Sequence, residues 1–353
     1  MAFTHFIPEV WSALLNRTLD KSLVYAGAPC SNREYEGDIS QYGDTVHITH
    51  IADPTITPYT RNTNLDDPES ITDDEQLLLI DQANSFNFYI DDIDKAQVRN
   101  GGAAFDEANR RAAFGLRDKA DQFAAAKMAA GAGAGLGVID VTSTATDVYD
   151  KVLVSASVAL DEANVPEELR WIVLPPAVYG KLQLDDRFIR QNESGTNALH
   201  NGQVGDAAGF RIFKSNNAPV GASHVVADAT GASGQKVLTS ASNSWQQSDI
   251  GSAVTGTGIA ASTTVASVAS DGSSATLSAN TTAAVNTAVT VAAGTSKLVI
   301  AGSQIAHSFA QQILETRAYQ PEKRFGDALK GLHVFGSKVV KPEALVVAGV
   351  KTA

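Results

Sequence analysis

The sequence predicts an α+β fold: one long helix, a compact α/β unit, and a small all-β domain inserted late in the chain. Three observations predict it. Residues 103–131 are rich in helix formers and free of proline. From Asp147 onward, apolar spacing alternates between helical and strand-like stretches. Between 229 and 296, about two thirds of the residues are alanine, glycine, serine or threonine, yet valines recur within strand-length segments.

Composition bounds the function. The chain has 353 residues, 44% of them apolar, enough for a sizeable core. Charged residues make up 19%, below the usual quarter, which favours broad surfaces that pack on neighbours. The net charge is −12 and no lysine or arginine run is present, which argues against a duplex nucleic-acid binder. Cys30 is the single cysteine, so no intrachain disulfide forms, and it reads as a small buried hydrophobe. The start, MAFTHFIPEVW, lacks a basic segment followed by an apolar one, and no apolar run reaches bilayer length. The expectation is a soluble, unsecreted chain assembled in the cytoplasm.

Residues 1–36 read as an arm. Val10, Leu14 and Leu15 fall at helical spacing after Pro8, and GAPCSN ends the pattern. Such a short amphipathic helix needs something to lie on. Residues 37–95 read as an extended β-loop. TVHITHI puts Val46 and Ile48 on one face, and Pro54, Pro58 and Pro68 exclude a central strand from the next stretch. LDDPESITDDE carries six acids in eleven residues. QLLLI and FNFYI then flank DQANS as a turn, with Phe86, Phe88 and Ile90 alternating, which predicts a two-stranded flap. So thin a flap is marginal alone and rests on a partner.

The helix over 103–131 aligns Phe105, Ala112, Leu116 and Phe123 along one side and Glu107, Arg110, Arg111, Asp118 and Asp121 along the other. Gly131 and GAGAGLG end it. Asp147 reads as the cap of a helix carrying Val148, Val152, Ala156 and either Ala159 or Leu160, stopped by Pro166. RWIVLPP reads as a buried strand, PPAVYGKLQL as a helix with proline in its first turn, and FRIFKSN as a second strand. In 229–296, Asp271-Gly272 suits a type I′ hairpin turn, and Val265, Val268, Leu277, Val289, Val291, Trp245, Ile250 and Ile259 supply the core. KLVIAG then resumes the earlier style after VVAD at 225–228, and the remaining chain is strand-rich.

No constellation for chemistry emerges. His47 and His50 lie three apart in a strand, on opposite faces, and make poor joint metal ligands. GAGAGLG follows a helix and lacks the Gly-Lys-Ser/Thr ending of a phosphate loop. The acids of 66–75 do not match calcium-loop spacing. No catalytic residue, cofactor or metal site is nominated, and the expectation is that the protein is not an enzyme.

The most specific passages are GQVGDAAGFRIFKSNNAP, with Gly202, Gly205, Gly209, Asn216, Asn217 and Pro219, and FGDALKGLHVFGSKVVKP. The first is similar to the glycine-punctuated passage ending in Ser-Asn-Asn-x-Pro of tailed-bacteriophage major capsid proteins. With the order of arm, acidic β-loop, spine helix, α/β unit and returning strands, the chain resembles that family and its Hong Kong 97-type fold outside 229–296. The resemblance implies an N-terminal arm at 1–36, an extended loop at 37–95, and a peripheral domain at 96–135 and 302–353. It further implies an axial domain at 136–228 and 297–301, with 229–296 as an inserted β-domain.

Function then follows as self-assembly into an icosahedral shell around the genome of a double-stranded DNA phage. The implied partners are further copies of the chain in pentamers and hexamers, scaffolding and portal proteins, and DNA enclosed without specific binding; no membrane is involved. Trp11, Leu14, Leu15, Arg61, Asp66, Asp67, Glu69, Asp73, Asp74 and Glu75 are the expected contacts between subunits. Some relatives join the extended loop to a neighbour through a lysine–asparagine isopeptide bond. No lysine lies between Lys21 and Lys95, so no such bond is expected from this loop. Other readings are an encapsulin-like shell around protein cargo, a β-rich tail or adhesin protein, and a hydrolase with a lid, the last opposed by the lack of nucleophile motifs.

Overall fold

The structure is a computed structural model and describes residues 23–34, 45–51, 61, 73–91, 101–142, 147–185, 206–294, 297–322 and 325–351. Thr45–Ile51 (β1) and Asp73–Leu79 (β2) pair antiparallel as a ribbon, with Thr45 opposite Leu79. Gln82–Asp91 (β3) follows, then the long helix Gly101–Ala130 (α1) and Ala134–Asp140 (β4). A π-helical turn, Val148–Leu153, runs into Val154–Glu162 (α2), followed by Arg170–Leu174 (β5) and Pro176–Gln183 (α3). Asp206–Ala207 (β6) and Phe210–Lys214 (β7) form a tight hairpin.

Seven short strands come next: His224–Val226 (β8), Ala229–Thr230 (β9), Val237–Ser240 (β10), Val254–Thr255 (β11), Val265–Val268 (β12), Ser274–Leu277 (β13) and Val289–Val291 (β14). Lys297–Ser303 (β15), His307–Tyr319 (β16), Gly326–Val339 (β17) and Leu345–Lys351 (β18) complete the described chain.

The centre is a six-stranded sheet in the order β4-β18-β15-β5-β7-β6. Every residue of β5 is buried, as are six of the seven residues in each of β15 and β18. Strands covered on both faces read as unbroken apolar runs, which is why RWIVL, KLVIAG and LVVAGV lack alternation. The sheet shares one core with the C-terminal half of α1 (Ala120, Ala124, Ala125, Met128, Ala129) and with α2 and α3. A second sheet, β16-β17-β3, packs on α1, where Phe123 meets Phe335 edge-on at 5.5 Å.

Several sequence expectations are corrected. QLLLI and FNFYI do not form a hairpin: β2 pairs with β1, while β3 pairs with β17, Phe86 opposite Gly331. DQANS is largely strand, because β3 begins at Gln82. A Cβ on Gly331 would collide with the Phe86 ring, so the aromatic side chain occupies the space above that glycine. The final strand β18 lies between β15 and β4 in the central sheet, and its Leu345, Val346 and Val347 share a core with Ala124 and Met128 of α1. Asp147 is helical in backbone and makes no side-chain cap; it pairs instead with Lys151 at 3.1 Å.

Residues 224–291 build two small sheets, β12-β13-β10-β9 and β11-β14-β8, around a separate core. Val226, Leu238, Trp245, Ile250, Val265, Val268, Leu277, Val289 and Val291 fill it, with Ile259 packed beside them. The valines recurring in the sequence are thus a packed interior. Its boundary falls before 229, because β8 pairs with β14, Val226 opposite Val289; VVAD therefore does not lead into β15. The β12–β13 connection turns over Ala269–Gly272, closed by Gly272 N–H to the Ala269 carbonyl at 3.0 Å. Only Gly272 of the Asp-Gly pair is left-handed (φ 71°), so the turn is not type I′. That turn type occurs instead where the sequence quotes Ala208-Gly209: both have positive φ, 52° and 79°, between β6 and β7.

Candidate assembly surfaces

The root of the N-terminal arm, residues 23–34, is stitched into the core. Tyr25, Ala26, Cys30 and Ser31 are fully buried. Asp121 of α1 accepts the backbone N–H groups of Val24, Tyr25 and Ala26 on Oδ1 at 3.0, 2.8 and 3.2 Å. Its Oδ2 accepts the side-chain amide of Asn217 at 3.1 Å. Burial raises the Asp121 carboxyl above its usual range, and these four donors oppose the rise. Helical periodicity put Asp121 beside Arg110 on the polar side; the structure buries it because the arm root covers that turn of α1.

The root is pinned a second time at β16. Ser31 Oγ donates to the Tyr25 carbonyl at 2.6 Å, which leaves Nδ1–H of His307 to donate to Ser31 Oγ at 2.8 Å. Asn32 N–H donates to the His307 carbonyl, and Phe309 N–H donates to the Asn32 carbonyl, at 2.8 and 3.0 Å. His307 is wholly buried and its imidazole is held down to about 3 by burial. His333, also buried, is held down to about 4 by the same cause. Burial also pushes up the Tyr25 hydroxyl and the Cys30 thiol, Asp121 adding to both, so Cys30 is an inert core residue.

The Ser-Asn-Asn passage is the other half of this joint. Asn217 N–H donates to Ser215 Oγ at 3.1 Å, turning the chain after β7 so that its amide reaches Asp121. Lys297 Nζ donates to the Asn216 carbonyl and Oδ1 at 3.0 and 2.7 Å. Here the asparagines end a strand and also bond α1 and β15 to it. Buried Arg170 does similar work after α2: its guanidinium donates to the Val165 and Pro166 carbonyls and pairs with Asp161 at 2.8 Å.

The ribbon β1–β2 carries exposed apolar side chains, as do other parts of the surface such as Phe114, Leu184 and Phe325. Ile48, Leu78 and Ile80 are buried with Ala310 and Val334, while Leu77 and Leu79 are 47% and 51% exposed. Gly336 allows the contact with β17, since a Cβ there would press on the Leu79 carbonyl and come within 2.9 Å of Ile80 Cδ1. Of the expected contact residues, Arg61 is exposed in a turn, and the backbones of Asp73, Asp74 and Glu75 open β2 opposite Ile51, His50 and Thr49. Trp11, Leu14, Leu15, Asp66, Asp67 and Glu69 lie outside the described residues.

A cleft of about 990 Å³ separates the small β-unit from the central sheet, lined by Val138, Pro175, Pro176, Thr264, Lys297 and Lys351 among others. Among the described residues, no cluster of three metal-ligating side chains occurs and no helix is long and apolar enough to cross a membrane.

Residues 75–243 match a family model described as phage capsid protein. No curated protein matches the sequence. Solved structures do. A chain from Mycobacterium phage Che8 is 24% identical, with 98% of both chains covered and a TM-score of 0.59. The capsid of cyanophage P-SCSP1u is 18% identical, with 89% of this chain and 85% of that one covered, at 0.54. The mature capsid of bacteriophage PhiM1 is 13% identical, with 88% and 82% covered, also at 0.54. The family model spans the whole of α1 and the Ser-Asn-Asn joint, and the chain shares the fold of these phage capsid structures, the Hong Kong 97 type.

Proposed function

We propose that copies of this chain join through the arm 1–36 and the extended loop 37–95 into pentamers and hexamers of a closed shell around double-stranded DNA. The observation that carries this reading is the ribbon β1–β2. A two-stranded ribbon is marginal in water, and this one leaves Leu77 and Leu79 half exposed in the single chain. A neighbouring copy that covers them removes apolar area from water at about 25 cal/mol per Å². Trp11, Leu14 and Leu15 supply the arm's apolar contact, and Arg61, Asp66, Asp67, Glu69, Asp73, Asp74 and Glu75 its charged rim. The segment 224–291 is an inserted domain, scaffolding and portal proteins are the assembly partners, and the host cytoplasm is the place of assembly. The acidity of the chain suits a lumen that encloses DNA without gripping it.

Electron microscopy and sedimentation of the purified chain test this. Closed particles are expected from the native sequence, and their loss in the Leu77→Ser/Leu79→Ser variant. A compact monomer at high concentration, with the ribbon protease-resistant, overturns it. Nucleic acid in particles from infected cells, against protein cargo, separates the phage shell from an encapsulin-like compartment.

A further inference from the structure

The small β-unit hangs on a narrow neck. The chain enters and leaves it side by side, with Leu298 N–H on the Pro219 carbonyl at 2.9 Å and Gly294 N–H on the Gly221 carbonyl at 2.8 Å. Beside the neck, a single 3₁₀ turn, Gln247–Asp249, forms the foot of the unit. The Gln247 side chain and Ile250 sit over Gly135 of β4, Ile250 also reaches Gly349 of β18, and the Ser248 carbonyl lies against Gly221. Gly221 leaves no room for a Cβ, which would meet the Ser248 carbonyl, and the Gln247 and Ile250 side chains lie close over Gly135 and Gly349.

At this joint lies the contact between Asp249 in the foot and His224 in the neck strand β8. Asp249 is fully buried. Its Oδ2 accepts Gln246 N–H at 2.9 Å and lies 3.5 Å from His224 Nε2. His224 Nδ1 faces the Ala222 carbonyl at 3.3 Å, so that nitrogen carries a hydrogen. Nε2 then attracts the carboxylate only if a proton stands between them, on either partner. Four buried polar atoms of the joint have no hydrogen-bond partner: His224 Nε2, Gln247 Oε1, Asp249 Oδ1 and Ser252 Oγ. A joint that leaves these groups unsatisfied while seated admits water when it lifts.

We infer that the Asp249–His224 contact is a proton-dependent latch that sets how firmly the β-unit sits on the central sheet. Among the described residues, His224 is the titratable side chain that acts on Asp249. The other elements packed on the foot bring none to it. The last turn of α1 carries Lys127, whose ammonium lies over the Phe123 ring at 5.4 Å; β4 and β18 carry Asp140 and Lys351, which act on each other; β12 carries no titratable residue. Burial holds the Asp249 carboxyl up at about 6, against the Gln246 N–H and His224, which lower it. A carboxyl raised in the folded state stabilises the seat fully below its ordinary value of 3.8, and that contribution is lost as pH rises through about 6. The β-unit is therefore latched in acid and loosened at neutral pH.

Hydrogen–deuterium exchange of the full-length chain tests the latch, with rates corrected for intrinsic pH dependence and β5 as an internal reference. Between about pH 5 and about pH 7.5, opening of the amides at 220–226 and 246–253 is expected to rise about tenfold over the reference. In Asp249→Asn the rise is abolished, because the amide does not titrate. A flat profile in the native chain, or the same rise in Asp249→Asn, overturns the latch. If that variant does not fold, the native profile alone decides.

Discussion

Asp121 and Asn217, 96 residues apart in sequence, meet through a 3.1 Å hydrogen bond at the point where arm root, spine helix and α/β unit converge. Three backbone N–H groups of the arm root share the same carboxylate. This hub fixes residues 23–34 against the long helix and the turn after β7.

Removing the carboxylate strands buried donors. Asp121→Ala leaves the N–H groups of Val24, Tyr25 and Ala26 unpaired at about 1–3 kcal/mol each where water cannot reach. A loss of at least about 3 kcal/mol in denaturant-induced unfolding is expected, with new proteolysis near residues 23–34. Unchanged stability contradicts the hub.

Asn217→Ala removes one donor and leaves Asp121 Oδ2 unpaired, which costs about 1–2 kcal/mol. The joint Asp121→Ala/Asn217→Ala variant should lose less than the sum of the single losses, since the two side chains share one interaction. Strict additivity, read by thermal or denaturant unfolding, breaks the link.

His307 and His333 set an acid limit. Both are folded neutral, held down to about 3 and about 4 by burial from an ordinary value of 6.5. Below 6.5 the unfolded chain binds more protons than the folded one, so stability is complete above that value and falls as pH drops toward the folded values. By pH ~5 each contributes a loss of about 2 kcal/mol. Unfolding free energies of unassembled chain that fall with acidification, and fall less steeply in His333→Gln, are expected; a profile flat from pH ~7 to pH ~5 refutes this.

Gly336→Ala should detach the ribbon. The new methyl has no room against the Leu79 carbonyl and Ile80, so β17 and the ribbon must separate, at about 1–3 kcal/mol. Faster proteolysis within 45–80 with little change at β5 is the expected pattern, and particle yield should drop with it.

Much was legible locally. The α1 pattern, lacking proline and dense in alanine, marked a helix within two residues of its start, and RWIVL and KLVIAG marked strands covered on both faces. The valines of the small β-unit marked its core despite a composition suited to a linker. Local patterns state that a face is covered but not by what. FNFYI alternates equally well opposite β2 or β17, and its true partner lies about 240 residues away.

The sequence by itself determined the long helix, the strands covered on both faces, the valine core of the small β-unit, and that no lysine lies between Lys21 and Lys95. Only the tertiary structure decided the pairing of β3 with β17 and β8 with β14, the burial of Asp121 beneath the arm root, and the meeting of Asp249 with His224. The physical reason is one of range. Propensity and periodicity act within a few residues, whereas these contacts form when distant segments compete for the same covered surface and buried polar groups must find partners there.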